Sequence, residues 1–150
     1  MQGRTLFIAR RAIHFKLYHY PENVFKPLYG VYELDYSQDT LYVCESIINA
    51  ITAVKYGVAA IALLGTGTPE QFNLIKKLPF RKIVAAFDGD EAGDKGAKRL
   101  IKVIDNKLVK SLVVPRGKDI NDLSEQEFKN CPEIFFIQKV LTFEFTKGIM

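Results

Sequence analysis

The sequence predicts an α/β fold: a parallel sheet of about four strands flanked by helices, preceded by a small basic α+β subdomain. Three observations carry this. From residue 40 onward, apolar runs of strand length alternate with segments at helical spacing, joined by short connections. The strand-length runs, such as "VAAIALLG" at 58–65, are apolar almost throughout, as expected of strands covered on both faces. Before residue 40 the pattern breaks up around Pro21, Pro27 and Gly30.

The elements follow in order. "RTLFIARRAI" and "FKPLYGVYEL" read as short strands of the amino-terminal part, and a boundary falls near Ser37-Gln38-Asp39. "TLYVCE" (40–45) reads as a buried strand, and "SIINAITAVKYG" (46–57) follows at helical spacing with Gly57 as its stop. After the strand at 58–65 comes "TPEQFNLIKKL" (68–78), with Thr68 as N-cap, Pro69 at the first helical position and Gln71 completing a capping box. "KIVAAFD" (82–88) is a third strand, "EAGDKGAKRLIKVIDN" (91–106) a third helix and "KSLVVP" (110–115) a fourth strand. Ser124 and Glu127 are spaced as another capping box, opening a last helical region. The predicted organisation is therefore 1–38 basic subdomain, 39–125 α/β domain and 126–150 helical extension.

Composition bounds the function. With 48% hydrophobic and 25% charged residues, the 150-residue chain supports an ordinary globular core. No apolar run reaches membrane-spanning length, and the start lacks the apolar stretch and cleavage site of a signal peptide, so no membrane role is expected. Two cysteines far apart, Cys44 and Cys131, make neither a disulfide framework nor a zinc knuckle and suit a cytoplasmic setting. The net charge of +4 is concentrated in the first thirty residues: Arg4, Arg10, Arg11, Lys16 and Lys26 face only Glu22. Phe7, Phe15, Tyr18, Tyr20, Phe25 and Tyr29 are interleaved with them. Cations for phosphates and aromatic faces for bases make nucleic acid a candidate partner; a solvated basic face over an aromatic core is the plainer alternative.

In a parallel sheet, ligands gather outside the carboxyl ends of the strands. Glu45 ends the first strand, Gly65-Thr66-Gly67 follows the second, Asp88 ends the third, and Lys118-Asp119 follow the fourth. Carboxylates brought together recruit a cation, and Mg²⁺ takes one or two of them with waters and substrate phosphates. The Asp88-Gly89-Asp90 spacing lets two side chains splay toward one site, with Gly89 allowing a sharp turn, and Asp119 and Asp122 follow within reach of a second position. Each piece also has a plainer reading. Asp-Gly-Asp serves as a turn or N-cap, Glu45 as a helix-start charge, Gly-Thr-Gly as a tight turn, and Lys118-Asp119 as a surface ion pair.

Together these residues resemble the Toprim fold, the catalytic domain shared by bacterial-type primases, topoisomerases and some nucleases. That family places a Glu after its first strand and Asp-x-Asp after its third; here these are Glu45 in "LYVCESIINAIT" and Asp88 and Asp90 in "AAFDGDEAG". The likeness is to the primase branch, phage and mobile-element primases included. "FDGDEAGDKGAKR", "VVPRGKDINDL" and "LLGTGTPEQFNLIKKL" are similar to its motifs, and "GRTLFIARRAIHFKLYHYPENVFKPLYGVYEL" follows the order of its upstream basic subdomain. Two positions depart: Asn49 and Asn121 stand where the family commonly has carboxylates.

The resemblance implies a DNA primase catalytic core, making short RNA primers on single-stranded DNA from nucleoside triphosphates. Asp88 and Asp90 would bind Mg²⁺ (or Mn²⁺), with Asp119 as a further ligand and Glu45 as a ligand or proton acceptor. Arg4, Arg10, Arg11 and Lys16 would contact template or triphosphate, and Lys118 a phosphate. A replicative helicase and a separate zinc-binding module are the implied partners, and weak or no priming is expected of this chain alone. The alternatives are a Toprim nuclease, a phosphatase with Asp88 as nucleophile, and a non-catalytic nucleic-acid-binding module.

Overall fold

The computed structural model describes residues 7–14 and 17–135. Arg4, Lys16 and most of the predicted extension, 136–150, lie outside them.

A small antiparallel hairpin comes first, β1 (Arg10–Arg11) with β2 (Tyr18–His19), in the register Arg10↔His19. The rest is a three-layer α/β body. Its strands are β3 (Thr40–Cys44), β4 (Ala59–Ala62), β5 (Lys82–Ala85), β6 (Leu108–Leu112) and β7 (Glu133–Ile134), and its helices are α1 (Ile47–Lys55), α2 (Pro69–Lys77), α3 (Glu91–Val103) and α4 (Glu125–Asn130). The sheet order is β4-β3-β5-β6-β7, parallel from β4 to β6, with β7 antiparallel on the β6 edge.

The alternation of side chains along each strand divides the core into two faces. Leu41, Val43, Ile61, Ile83, Ala85 and Phe87 point to one, where Phe72 and Ile75 of α2 and Ala97 and Leu100 of α3 cover them. Cys44, Ala60, Ala62, Val84 and Leu112 point to the other, under Ala50 and Ala53 of α1 and Phe128 of α4. The alanines let α1 lie close on β4. Because both faces are covered, the central strands β3, β4 and β5 are apolar almost throughout.

Two local expectations differ. Val31–Glu33, expected within a strand, forms a 3₁₀ turn entered through Gly30 at φ 87°; only Tyr29 pairs with the sheet, bridging to Ala62. Of the helical extension expected at 126–150, residues 126–130 are helical and Glu133–Ile134 form the strand β7, while 136–150 lie outside the described residues. The register of β7 on β6, Ser111↔Ile134, is fixed by Glu133, which reaches across to Lys82 and Tyr42.

α1 leaves β3 on one face of the sheet and α3 leaves β5 on the other. Adjacent strands whose connections diverge in this way open a crevice at their carboxyl ends. The crevice lies between β3 and β5.

Candidate functional site

Two carboxylates meet at that crevice. Glu45 is the first residue past β3, and its Oε1 accepts from the Asp88 backbone N–H at 3.4 Å. The Asp88 side chain, half-buried past the end of β5, accepts from Asn49 Nδ2 at 3.0 Å. Beneath them lies the buried Cys44 thiol; burial pushes its pKa up, and the charges of Asp88 and Glu45 push it further.

Close backbone packing positions Asp88. The α3 helix begins immediately beyond, and a Cβ at Gly93 would stand 2.1 Å from the Asp88 carbonyl oxygen. A Cβ at Gly89 would stand 2.1 Å from the Pro115 carbonyl. Gly89 is therefore required by close approach to the loop after β6, rather than by the sharp turn the sequence suggests. Hydrogen bonds join the same two loops: Gly89 N–H donates to the Lys118 carbonyl at 2.9 Å, and Gly117 N–H to the Gly89 carbonyl at 3.0 Å.

The other predicted acids face the backbone. Asp90 is the N-cap of α3, its Oδ1 accepting from Gly93 N–H at 2.7 Å. Asp119 and Asp122 form a reciprocal capping box around the 3₁₀ turn Ile120–Asp122, at 3.1 and 2.9 Å. Lys118 pairs with Glu127 at 3.5 Å. Among the described residues, no group of three or more His, Cys, Asp or Glu side chains is gathered to hold a metal. The donor set at the crevice is thus a carboxylate pair, all oxygen. It fits a hard divalent ion that completes its shell with water and substrate phosphate, and it does not fit a closed protein cage.

Basic residues flank the crevice on the β4 side. Leu64, Gly65 and Gly67 all have positive φ, and the loop they form hydrogen-bonds back to β3 through Gly65 N–H and the Glu45 carbonyl at 3.0 Å. Lys26 lies over the Tyr20 ring, 4.8 Å from its centroid, and donates to the Leu64 carbonyl at 3.2 Å. Arg99 of α3 donates to the Thr66 and Gly67 carbonyls and lies over the Phe72 ring. Neither is legible as a site residue from the sequence, because the carbonyls that each one meets lie more than thirty residues away. Of the predicted nucleic-acid contacts, Arg10 and Arg11 are exposed on the hairpin, with Arg11 5.7 Å from the Tyr18 ring centroid. Phe7 and Tyr20 anchor the hairpin against the α1 side of the core.

Residues 42–124, more than half of the chain, match the Toprim-like family. The chain belongs to that family. Members of this Toprim-like family use divalent metal ions, in keeping with the carboxylate pair. The DNA primase of Pseudomonas aeruginosa is 37% identical over 111 residues, which are 67% of this chain and 16% of that protein. A crystal structure of a DNA primase domain from the same organism superposes with a TM-score of 0.68 at 30% identity, covering 84% of this chain and 44% of that one. A DnaG primase catalytic domain bound to single-stranded DNA shares the fold, with a TM-score of 0.66 at 22% identity over 88% of this chain and 50% of that chain. The chain thus spans about a sixth of the curated primase it matches and under half of the solved Pseudomonas domain.

Proposed function

We propose that this Toprim-like chain is part of a DNA primase catalytic core that builds short RNA primers on a single-stranded DNA template. The observation that carries this reading is the meeting of Glu45 and Asp88 at the crevice between β3 and β5, within a chain whose sequence relatives are primases. In the proposed reaction a ribonucleotide 3′-hydroxyl attacks the α-phosphate of an incoming triphosphate. The new O–P bond forms as the bond to the pyrophosphate leaving group breaks.

Glu45 and Asp88 would hold a magnesium ion, with Asp90 and Asp119 as additional ligands drawn from their capping positions. Such an ion supplies positive charge against the triphosphate. Glu45 would act either as a ligand of that ion or, instead, as the acceptor of the hydroxyl proton. Arg10 and Arg11, with Arg4 and Lys16, would bind template or triphosphate phosphates, and Lys118 would exchange its exposed partner Glu127 for a phosphate oxygen. We assign template handling to residues 1–38 and chemistry to 39–125, with 126–150 as an extension. A zinc-binding module and a helicase would be supplied by other parts or partners. The chain's own role is chiefly positioning and charge placement.

The test incubates the chain with Mg²⁺ or Mn²⁺ and labelled single-stranded DNA, bare or carrying a short annealed RNA primer, with and without ribonucleotides. Ribonucleotide-dependent extension of the annealed primer supports the proposal. Cleavage without ribonucleotides identifies a nuclease instead. DNA binding with neither reaction, and with no Mn²⁺ bound, leaves a nucleic-acid-binding module.

A further inference from the structure

We infer that Asn49 is a positioning residue that locks the Asp88 carboxylate to the loop after β6, and that it does so with an uncharged amide. This rests on the proposed metal role of Asp88.

Asn49 lies in the first turn of α1 and is 1% exposed. Its Nδ2 donates to Asp88 Oδ1 at 3.0 Å, and its Oδ1 accepts from the Asn121 backbone N–H at 3.2 Å. These partners fix the orientation of the amide, because an ionised carboxylate only accepts and a backbone N–H only donates. Flipping the amide would set oxygen against oxygen and N–H against N–H. One helix position therefore grips the end of β5 through Asp88 and the 3₁₀ turn of the loop after β6 through Asn121.

An amide serves both partners here without adding charge. A carboxylate at 49 would satisfy the Asn121 N–H but present a second negative oxygen to Asp88 out of contact with water. An aliphatic side chain would leave the Asn121 N–H without this partner and the Asp88 oxygen without the amide donor. One turn further along α1, Thr52 Oγ1 donates to the Asn121 side-chain oxygen at 3.0 Å. Residues 49 and 52 share a helix face, so both reach Asn121, while the contact to Asp88 comes from Asn49. The two contacts can therefore be separated by mutation. Thr52 supports the loop alone; Asn49 supports the loop and also aims the carboxylate.

Outer partners that orient a metal-binding carboxylate typically alter metal affinity by about 10- to 100-fold when removed. The experiment measures Mn²⁺ affinity by the loss of the free-ion electron paramagnetic resonance signal, alongside thermal melting, in the intact chain and in three variants. Asp88→Asn is expected to abolish binding; if it does not, the metal reading of Asp88 fails before Asn49 is tested. Given that loss, Asn49→Ala is expected to weaken Mn²⁺ binding by at least 10-fold, while Thr52→Val stays within about twofold although both lower the melting temperature. Equal weakening in both variants, or unchanged affinity in a folded Asn49→Ala, overturns the inference. Should Asn49→Ala not fold, the side-chain amide resonance of Asn49 in the unmutated chain decides. It is expected to be protected from water exchange and to shift on Mg²⁺ addition. Rapid exchange with no shift overturns the inference.

Discussion

Asp88 and Glu133 both sit beside strand ends of one sheet, and both accept side-chain hydrogen bonds, yet their surroundings differ in kind. Asp88 faces an uncharged amide in a crevice it shares with Glu45. Glu133 is clamped by the Lys82 ammonium, with Tyr42 Oη donating at 2.9 Å and Lys110 at 3.8 Å. Burial alone would raise the Glu133 pKa, but the hydrogen bonds from Lys82 and Tyr42 and the charges of Lys82 and Lys110 outweigh it and hold it below its ordinary value. Burial and the bond to Glu133 push Tyr42 upward. Two carboxylates gathered at a crevice suit the capture of a cation, whereas one carboxylate among lysines and a phenol fastens a strand. Removing Asp88 should cost chemistry, and removing Glu133 should cost stability.

The largest effect is expected at Asp88 itself. Asp88→Asn keeps the shape of the side chain and should reduce ribonucleotide-dependent extension by on the order of 100-fold or more, with little change in melting temperature. A primer-extension assay beside a thermal melt checks both halves. Activity retained in this variant would erase the contrast with Glu133.

Gly93→Ala attacks the same place through the backbone. With a Cβ 2.1 Å from the Asp88 carbonyl oxygen, α3 must shift away from β5. A cost of about 3 kcal/mol is expected, read from denaturant unfolding, together with weaker Mn²⁺ binding because Asp88 moves with its backbone. A full-stability variant would mean that α3 docks more loosely than the structure shows.

Glu133→Gln should destabilise by about 2 kcal/mol at pH 7, since the Lys82 side chain, 23% exposed, loses its anion. The effect depends on pH with a definite sign. A carboxylate whose folded pKa lies below its unfolded value near 4.5 contributes stability that is present above pH 4.5 and lost as pH falls through the folded pKa. The gap in melting temperature between the unmutated chain and Glu133→Gln should therefore be full at neutral pH and narrow as pH falls below 4.5. A gap that stays constant throughout the acid range would assign the stabilisation to packing instead of charge.

The same contrast marks what could be read from the residues alone. Strands β3 to β6 and helices α1 to α4 announce themselves through local signals: continuous apolar runs, helical spacing and the capping boxes at Thr68–Gln71 and Ser124–Glu127, both formed as expected. That ligands gather at the carboxyl edge follows from parallel connections, and Glu45 and Asp88 lie there; the order β4-β3-β5-β6-β7 rests on contacts between distant segments and is not legible in the residues. The clamp of Glu133 on Lys82 spans 51 residues, and a two-residue strand has no periodicity of its own, so β7 has no local signal. The Asn49 relay was hidden for a similar reason. Its partners are 39 and 72 residues away, and an amide in a helix resembles any surface asparagine until burial is known. Asp90 and Asp119 were legible as acids at the correct edge, but whether a carboxylate faces a backbone N–H or a ligand depends on a rotamer, which the residue type does not specify.

Asp90 gives the smallest effect and the finest division between the two kinds of carboxylate. As N-cap of α3 it satisfies the Gly93 N–H, and Asp90→Ala should cost about 1 kcal/mol, a fall of roughly 3 °C in melting temperature. Asn caps a helix as well as Asp but carries no charge. Asp90→Asn should therefore restore the melting temperature of the unmutated chain. If Asp90 also ligates the ion at the crevice, its Mn²⁺ affinity stays depressed, because an amide oxygen replaces the charge poorly. We expect stability to recover and affinity not to. Recovery of both would make Asp90 a cap alone and would place it with Glu133 among the carboxylates that build the fold, leaving Glu45 and Asp88 to bind the ion.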